Sequence, residues 1–206
     1  MSYLETTKNV YRDAALTPDV GLCCTTNPIW ELPGLKIPKI MQEMNYGCGS
    51  TVNARDLTNN PRILYVGAGG GMELLQFAYF SRQKGGVIGV DVVDEMLEAS
   101  RKNFIEAEAV NPWFKSEFVD LKKGDALNLP VEDNSIDVAA QNCLFNIFKG
   151  LFVSFKLFMI FSLLFARETF IKKKKNIVDK YFIIKERLFC QHDLLCLQLH
   201  LLPSYQ

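Results

Sequence analysis

Five residues, Gly67-Ala68-Gly69-Gly70-Gly71, constrain this chain more than any others, because they stand between an apolar strand and a helix. Arg62 to Val66 is a short apolar run bounded by Pro61 and Gly67, and Met72 to Arg82 follows with helical character. Glycines at such a junction permit a tight turn and let the backbone approach a ligand closely. The helix beyond presents its unpaired N–H groups towards an anion, such as a carboxylate or phosphate.

A regular alternation follows. Val87 to Asp91 is a second strand after the turn Gly85-Gly86, and a helix runs from about Val93 to Val110 with Asp94 and Glu95 in its first turn. Acidic side chains there complement the helix dipole. Glu117 to Leu121 is predicted as a third strand and Ile136 to Gln141 as a fourth. Strands separated by helices imply βαβ units and a parallel sheet, so the fold class is α/β and Rossmann-like. Ahead of these elements, Tyr3 to Leu16 has helical spacing and ends at Thr17-Pro18. Residues 21–38 are loop-like, and Pro38 to Tyr46 forms a short helix stopped by Gly47 and Gly49.

The composition breaks near Gly150. All 13 glycines lie at or before that residue, as do seven of the eight prolines, whereas eight of the 15 phenylalanines fall between Phe152 and Phe189. The reading therefore divides the chain into an N-terminal cap (1–60), an α/β core (61–149) and an anomalous hydrophobic and basic tail (150–206), with the sheet incomplete after its fourth strand. The run Leu151 to Ala166 contains Lys156 and leads into Lys172-Lys173-Lys174-Lys175. It is shorter than the roughly 20 residues a spanning helix needs, which leaves membrane association through 151–166 as the lesser alternative to a cytoplasmic protein. A buried core helix is a second reading. A stretch foreign to the fold, such as a translated intron after Lys149, fits the composition best.

With a formal net charge of +0, no general electrostatic attraction to nucleic acid is expected. Met1 to Val10 is polar and charged, unlike a secretory signal. Six cysteines in such a chain read as reduced thiols rather than a disulfide framework.

The chemistry-bearing positions gather around the predicted sheet. Asp91 ends the second strand 24 positions after Gly67, near the spacing of about 20 for an acid that receives ribose hydroxyls. Gly124-Asp125-Ala126-Leu127-Asn128-Leu129-Pro130 follows the third strand. Asp125 there suits an exocyclic amine of adenine and Ala126 its ring, although the same residues also signal a turn. A nicotinamide enzyme more often carries G-x-G-x-x-G, and here Met72 or Glu73 stands where its third glycine would fall. Cys143 lies just beyond the fourth strand, where ligands bind in open α/β sheets. Cys48 is flanked by glycines, and Cys23-Cys24 forms an adjacent pair. These spacings do not match a zinc site, and no structural metal is expected.

In order, the glycine loop, Asp91 and the GDALNLP segment resemble the set used by class I S-adenosylmethionine-dependent methyltransferases. The segments CCTT, MNYGCG, LYVGAGGG, GDALNLP and DNSIDVAAQNCLFNIF resemble the arsenite methyltransferase family over about residues 10–149, nearest the branch associated with arsenosugar formation. The resemblance implies S-adenosylmethionine as donor at Gly67, Gly69, Gly71, Asp91, Asp125 and Ala126. It implies trivalent arsenic as a small-molecule substrate held by Cys48 and Cys143, a further thiol at Cys23 or Cys24, and a thiol reductant. A further cysteine of the family has no counterpart, since Cys190 and Cys196 lie in the tail. Soft arsenic(III) prefers sulfur ligands, and its lone pair can take a methyl group without a base, in keeping with the absence of histidine before His192. Two other readings stay open: a methyltransferase with a small organic acceptor, and an inactive donor-binding remnant.

Overall fold

In the computed structural model the described residues are 3–18, 32–45, 51–52, 54, 57, 59–133, 135–142 and 144, together with the backbone of 181–185. Their centre is a parallel sheet of five strands. β1 is Ile63–Val66, β2 Val87–Asp91, β3 Val119–Lys123, β4 Val138–Asn142 and β5 Tyr181–Lys185, in the order β3-β2-β1-β4-β5. Every neighbouring pair is parallel, with Val66 opposite Val90 on one side and Gln141 on the other. The order reverses between β1 and β4, and such a switch point opens a crevice at the carboxyl ends of the strands.

Helix α3 (Met72–Ser81) connects β1 to β2, and α4 (Asp94–Val110) connects β2 to β3. Central strands β1 and β2 are apolar because they are covered on both faces. Ile63 and Tyr65 point to one face, packing with Leu74, Phe77, Phe104 and Phe114, while Leu64 and Val66 face Ile88, Val90, Ala126 and Ala139 on the other. This is the period-two alternation of strand side chains. β3, at the edge, keeps the polar residues Asp120, Lys122 and Lys123.

Ahead of the sheet stand α1 (Tyr3–Leu16) and the short α2 (Lys39–Glu43). Ala14 packs with Met44, Val93 and Met96. Arg12 also reaches Glu95 at 2.8 Å, but the pair is exposed and adds little to stability. The stretch around residues 33–36 is tied to the core by side-chain hydrogen bonds. Trp113 donates to Gly34 O, Tyr79 to Pro33 O, and Asn111 exchanges two bonds with Lys36.

Most predicted elements appear near their predicted places, with β4 beginning at Val138 rather than Ile136 and α2 confined to Lys39–Glu43, and two further differences have a visible cause. β3 starts two residues later than expected, because Ser116–Phe118 turn into a 3-10 helix whose first N–H is accepted by the Glu108 carboxylate. The sheet also does not end at its fourth strand. Tyr181–Lys185 pairs with β4 from Val138↔Tyr181 to Asn142↔Lys185. An unpaired strand edge is a template for such addition, and Tyr-Phe-Ile-Ile is a strongly β-prone run. The remainder of the tail, including the apolar run 151–166, lies outside the described residues. Among the described residues no helix is long and apolar enough to cross a membrane.

Phe77 is fully buried and its ring lies 5.6 Å from that of Tyr65. Replacing Phe77 by Ala is expected to cost about 3–5 kcal/mol, read as a lower midpoint in equilibrium urea unfolding.

Candidate functional site

The sequence of the β1–α3 junction dictates its shape. Gly67, Gly69 and Gly71 have φ of 90°, 52° and 86°. Gly67 and Ala68 both donate backbone N–H bonds to Val90 O, at 2.8 and 3.1 Å, so the loop leaves β1 and turns over the end of β2. At Gly71 the requirement for glycine is double. Its φ lies in the left-handed region, and an added Cβ would stand 2.9 Å from Phe104 Cε1.

Asp91 closes β2 beneath that loop. Its Oδ2 accepts the Gly69 N–H at 3.1 Å and its Oδ1 accepts the Val93 N–H at 3.0 Å. Burial pushes the Asp91 carboxyl above its ordinary pKa, and the surrounding backbone N–H groups of Val93, Gly69, Val92 and Ala68 counter this only in part. A desolvated carboxylate at the mouth of a crevice is a site that hydroxyl donors would stabilise.

Gly124 N–H donates to Asp91 O at 2.9 Å, which brings the segment after β3 beside Asp91. Ala126 there is buried among Val90, Ile88 and Ile136. Asp125 is exposed, and its Oδ1 accepts the Leu127 N–H at 2.8 Å while its carbonyl accepts from Asn128. This carboxylate thus shapes a turn, as its sequence context also suggests. Gly67, Gly69, Gly71, Asp91, Asp125 and Ala126 are therefore brought to the carboxyl ends of β1, β2 and β3. Cys23, Cys24, Cys48 and Cys143 lie outside the described residues.

Residues that sequence reasoning missed hold this site together. From α4, Ser100 Oγ donates to Gly69 O at 2.7 Å, and Asn103 Nδ2 to Gly70 O at 2.9 Å. Their signal was available. Met96, Ser100, Asn103 and Ala107 lie three and four apart on the buried side of α4, so two polar side chains interrupt an apolar stripe.

The second missed group centres on Glu73, buried in the first turn of α3. Its Oε1 accepts the Thr51 N–H at 2.6 Å and the Thr51 hydroxyl at 3.0 Å. Its Oε2 accepts the Tyr65 hydroxyl and, at 3.2 Å, Asn142 Nδ2. One carboxylate thereby joins the stretch preceding β1, β1 itself, and the carboxyl end of β4. In the sequence, Glu73 stands out only as one of the two residues at the place of a nicotinamide enzyme's third glycine.

Fold and site together define a class: this is a Rossmann-like α/β domain with a ligand crevice at the carboxyl ends of its strands. The described residues fit S-adenosylmethionine as methyl donor: the glycine loop and the start of α3 would hold its carboxylate end, and Asp91 suits its ribose hydroxyls. Residues 64–155 match the family described as methyltransferase domain. The chain is similar to the arsenite methyltransferase of Halobacterium salinarum, 30% identical over 105 residues that cover 51% of this chain and 25% of that protein. It is equally similar to the arsenite methyltransferase of Mus musculus, 30% identical over 105 residues, covering 50% and 27%. This chain thus spans about a quarter of the length of these curated relatives. Among solved structures, the arsenic(III) S-adenosylmethionine methyltransferase of Chlamydomonas reinhardtii has a similar fold, with a TM-score of 0.52 and 22% identity over 62% of this chain and 42% of that one. Among the described residues, no group of three His, Cys, Asp or Glu is arranged to hold a metal ion.

Gly71→Ala is expected to destabilise the domain by about 1–3 kcal/mol, the usual cost of forcing a side chain into such a backbone conformation. Chemical denaturation measures it, and an unchanged midpoint contradicts the tight packing of the loop on Phe104.

Proposed function

We propose that this chain is an S-adenosylmethionine-dependent methyltransferase whose acceptor is trivalent arsenic, held by the thiolates of Cys48 and Cys143 with Cys23 or Cys24 assisting. The observation that carries the reading is the Glu73 carboxylate, bonded to both Thr51 and Asn142. Cys48 stands three residues before Thr51 in the chain, and Cys143 follows Asn142 directly. Thr51 and Asn142, the described residues nearest to the two cysteines in sequence, are therefore tied to one buried group beside the switch point between β1 and β4. Likeness to two arsenite methyltransferases over half the chain supports the same acceptor.

The donor supplies a methyl group on a sulfonium centre. Its carbon is taken by the arsenic lone pair as the carbon–sulfur bond breaks, and the electron pair of that bond returns to sulfur. No side chain has to remove a proton from the nucleophile. What the chain's residues must do is position. Gly67 to Gly71 and Asp91 fix the donor, and the thiolates fix arsenic in line with the methyl group. Arsenic rises from the trivalent to the pentavalent state in each transfer, so a thiol reductant is the partner that returns it to the trivalent state. The cytoplasm, where thiols stay reduced, is the setting that suits this chemistry.

Asp91→Asn removes a charged acceptor from the donor site. The substitution is expected to weaken S-adenosylmethionine binding about 10- to 100-fold, measured by calorimetry, while arsenite affinity is retained. Protonation has the same sign. Because burial raises the Asp91 pKa, donor affinity of the native chain should begin to fall on acidification above the ordinary carboxylate range.

Cys48→Ser and Cys143→Ser should each abolish arsenic methylation with donor affinity unchanged. Full arsenic methylation in both variants would refute the acceptor assignment.

A further inference from the structure

Four hydrogen bonds converge on Glu73 from three separate parts of the chain, and the methyl-transfer chemistry uses none of them. We propose that Glu73 is a positioning residue: its carboxylate docks the stretch leading into β1 against the carboxyl end of β4 and so sets the spacing of the two acceptor-bearing segments. This inference rests on the acceptor reading above, since the spacing matters for catalysis only if both segments bear on one acceptor.

The geometry favours a carboxylate over any other group. An ionised carboxylate is an acceptor only, with room for about four donors on its two oxygens. Here all four contacts are donors: the Thr51 N–H and hydroxyl on Oε1, the Tyr65 hydroxyl and Asn142 Nδ2 on Oε2. The side chain sits where the residue is only 7% exposed, so the contacts are shielded from competing water. Tyr65 stands on β1 next to β4, with Ala140 opposite it, and Asn142 lies two residues further along β4 on the same face. The rigid sheet thus supplies one wall of the contact. Thr51 is the partner outside the sheet, and its two bonds to Glu73 fix it against that wall.

Three features separate this role from that of a core residue. A glutamine in place of Glu73 has nearly the same volume but presents an NH₂ group to at least one donor, so the packing survives and the acceptor pattern does not. The donor-binding loop is held by other residues, Ser100 and Asn103, and is not bonded to the Glu73 side chain. Docking elsewhere ahead of β1 uses different contacts, such as the Tyr79 hydroxyl on Pro33 O at 3.0 Å. Tyr79→Phe is therefore a control that loosens the same part of the chain away from Glu73.

The test uses the full chain and phenylarsine oxide, a trivalent arsenical that bridges two neighbouring thiols. Each bridge forms two arsenic–sulfur bonds, and the arsenical oxygen leaves as water with the two thiol protons, without change of oxidation state. Mass spectrometry of a digest counts Cys48–Cys143 bridges, and hydrogen exchange by NMR follows the Thr51 amide. In Glu73→Gln, bridging and Thr51 protection should both fall about tenfold or more. S-adenosylmethionine affinity should stay within about threefold, since charge-assisted contacts to the donor are untouched. Tyr79→Phe should leave bridging and protection at native levels.

Unchanged bridging and protection in Glu73→Gln would overturn the inference with the acceptor reading intact. Equal losses of donor affinity and bridging would also overturn it, because they would mark a merely structural residue. Loss of Thr51 protection in Glu73→Gln, with no bridging even in the native chain, would leave the docking role standing and remove the arsenic reading. Should Glu73→Gln fail to fold, Thr51→Val deletes only the hydroxyl bond, and a loss of about threefold in bridging is then expected; no loss overturns the inference.

Discussion

The Gly69 N–H bond to the Asp91 carboxylate is the contact on which the rest of the site depends. It joins the loop leaving β1 to the end of β2, and it requires both the positive φ of the loop glycines and the parallel register of the two strands. A slip of one residue in that register would turn Asp91 to the opposite face of the sheet. The fully buried strands β1 and β2 prevent the slip, since Ile63, Leu64, Val87 and Val90 each fill one face of the core. Hydrophobic packing thus places a charge that packing alone would disfavour. The resulting cost is visible in the raised Asp91 pKa, and a ligand with hydroxyl donors offsets it.

From this contact the remaining geometry follows outward. Gly124 binds the Asp91 carbonyl and aligns the segment after β3. Ser100 and Asn103 pull the loop carbonyls onto α4. On the other side of β1 the strand order reverses at β4, and Glu73 bonds to residues of both strands there. The donor side is built from backbone and one carboxylate. The Glu73 side is built from a single buried carboxylate with four donors.

The legible parts of the chain were those set by local pattern. The strands RILYV and VIGVD, the glycine junction and the helix before Thr17-Pro18 follow from periodicity and turn residues, and each appears in place. The start of β3 did not follow, because Glu108 reaches eight residues along the chain to hold the Ser116 turn, a contact with no local signature. β5 was hidden for a similar reason: its strand tendency becomes meaningful only beside the free edge of β4. Asp125 was legible in two ways, as an adenine partner and as a turn residue, and its bond to the Leu127 N–H displays the second. Glu73 stayed invisible since its partners Thr51, Tyr65 and Asn142 are spread over 91 positions of sequence, from 51 to 142. Long-range polar contacts of this kind leave no period behind.

The central claim is that arsenic, not an organic acceptor, occupies the crevice opposite the donor, and that sulfur holds it there. Arsenic K-edge X-ray absorption on the full chain, loaded with arsenite and the demethylated donor product, addresses this directly. The account predicts a first coordination shell made of sulfur. A shell of oxygen alone, indistinguishable from that of arsenite in buffer, would contradict it.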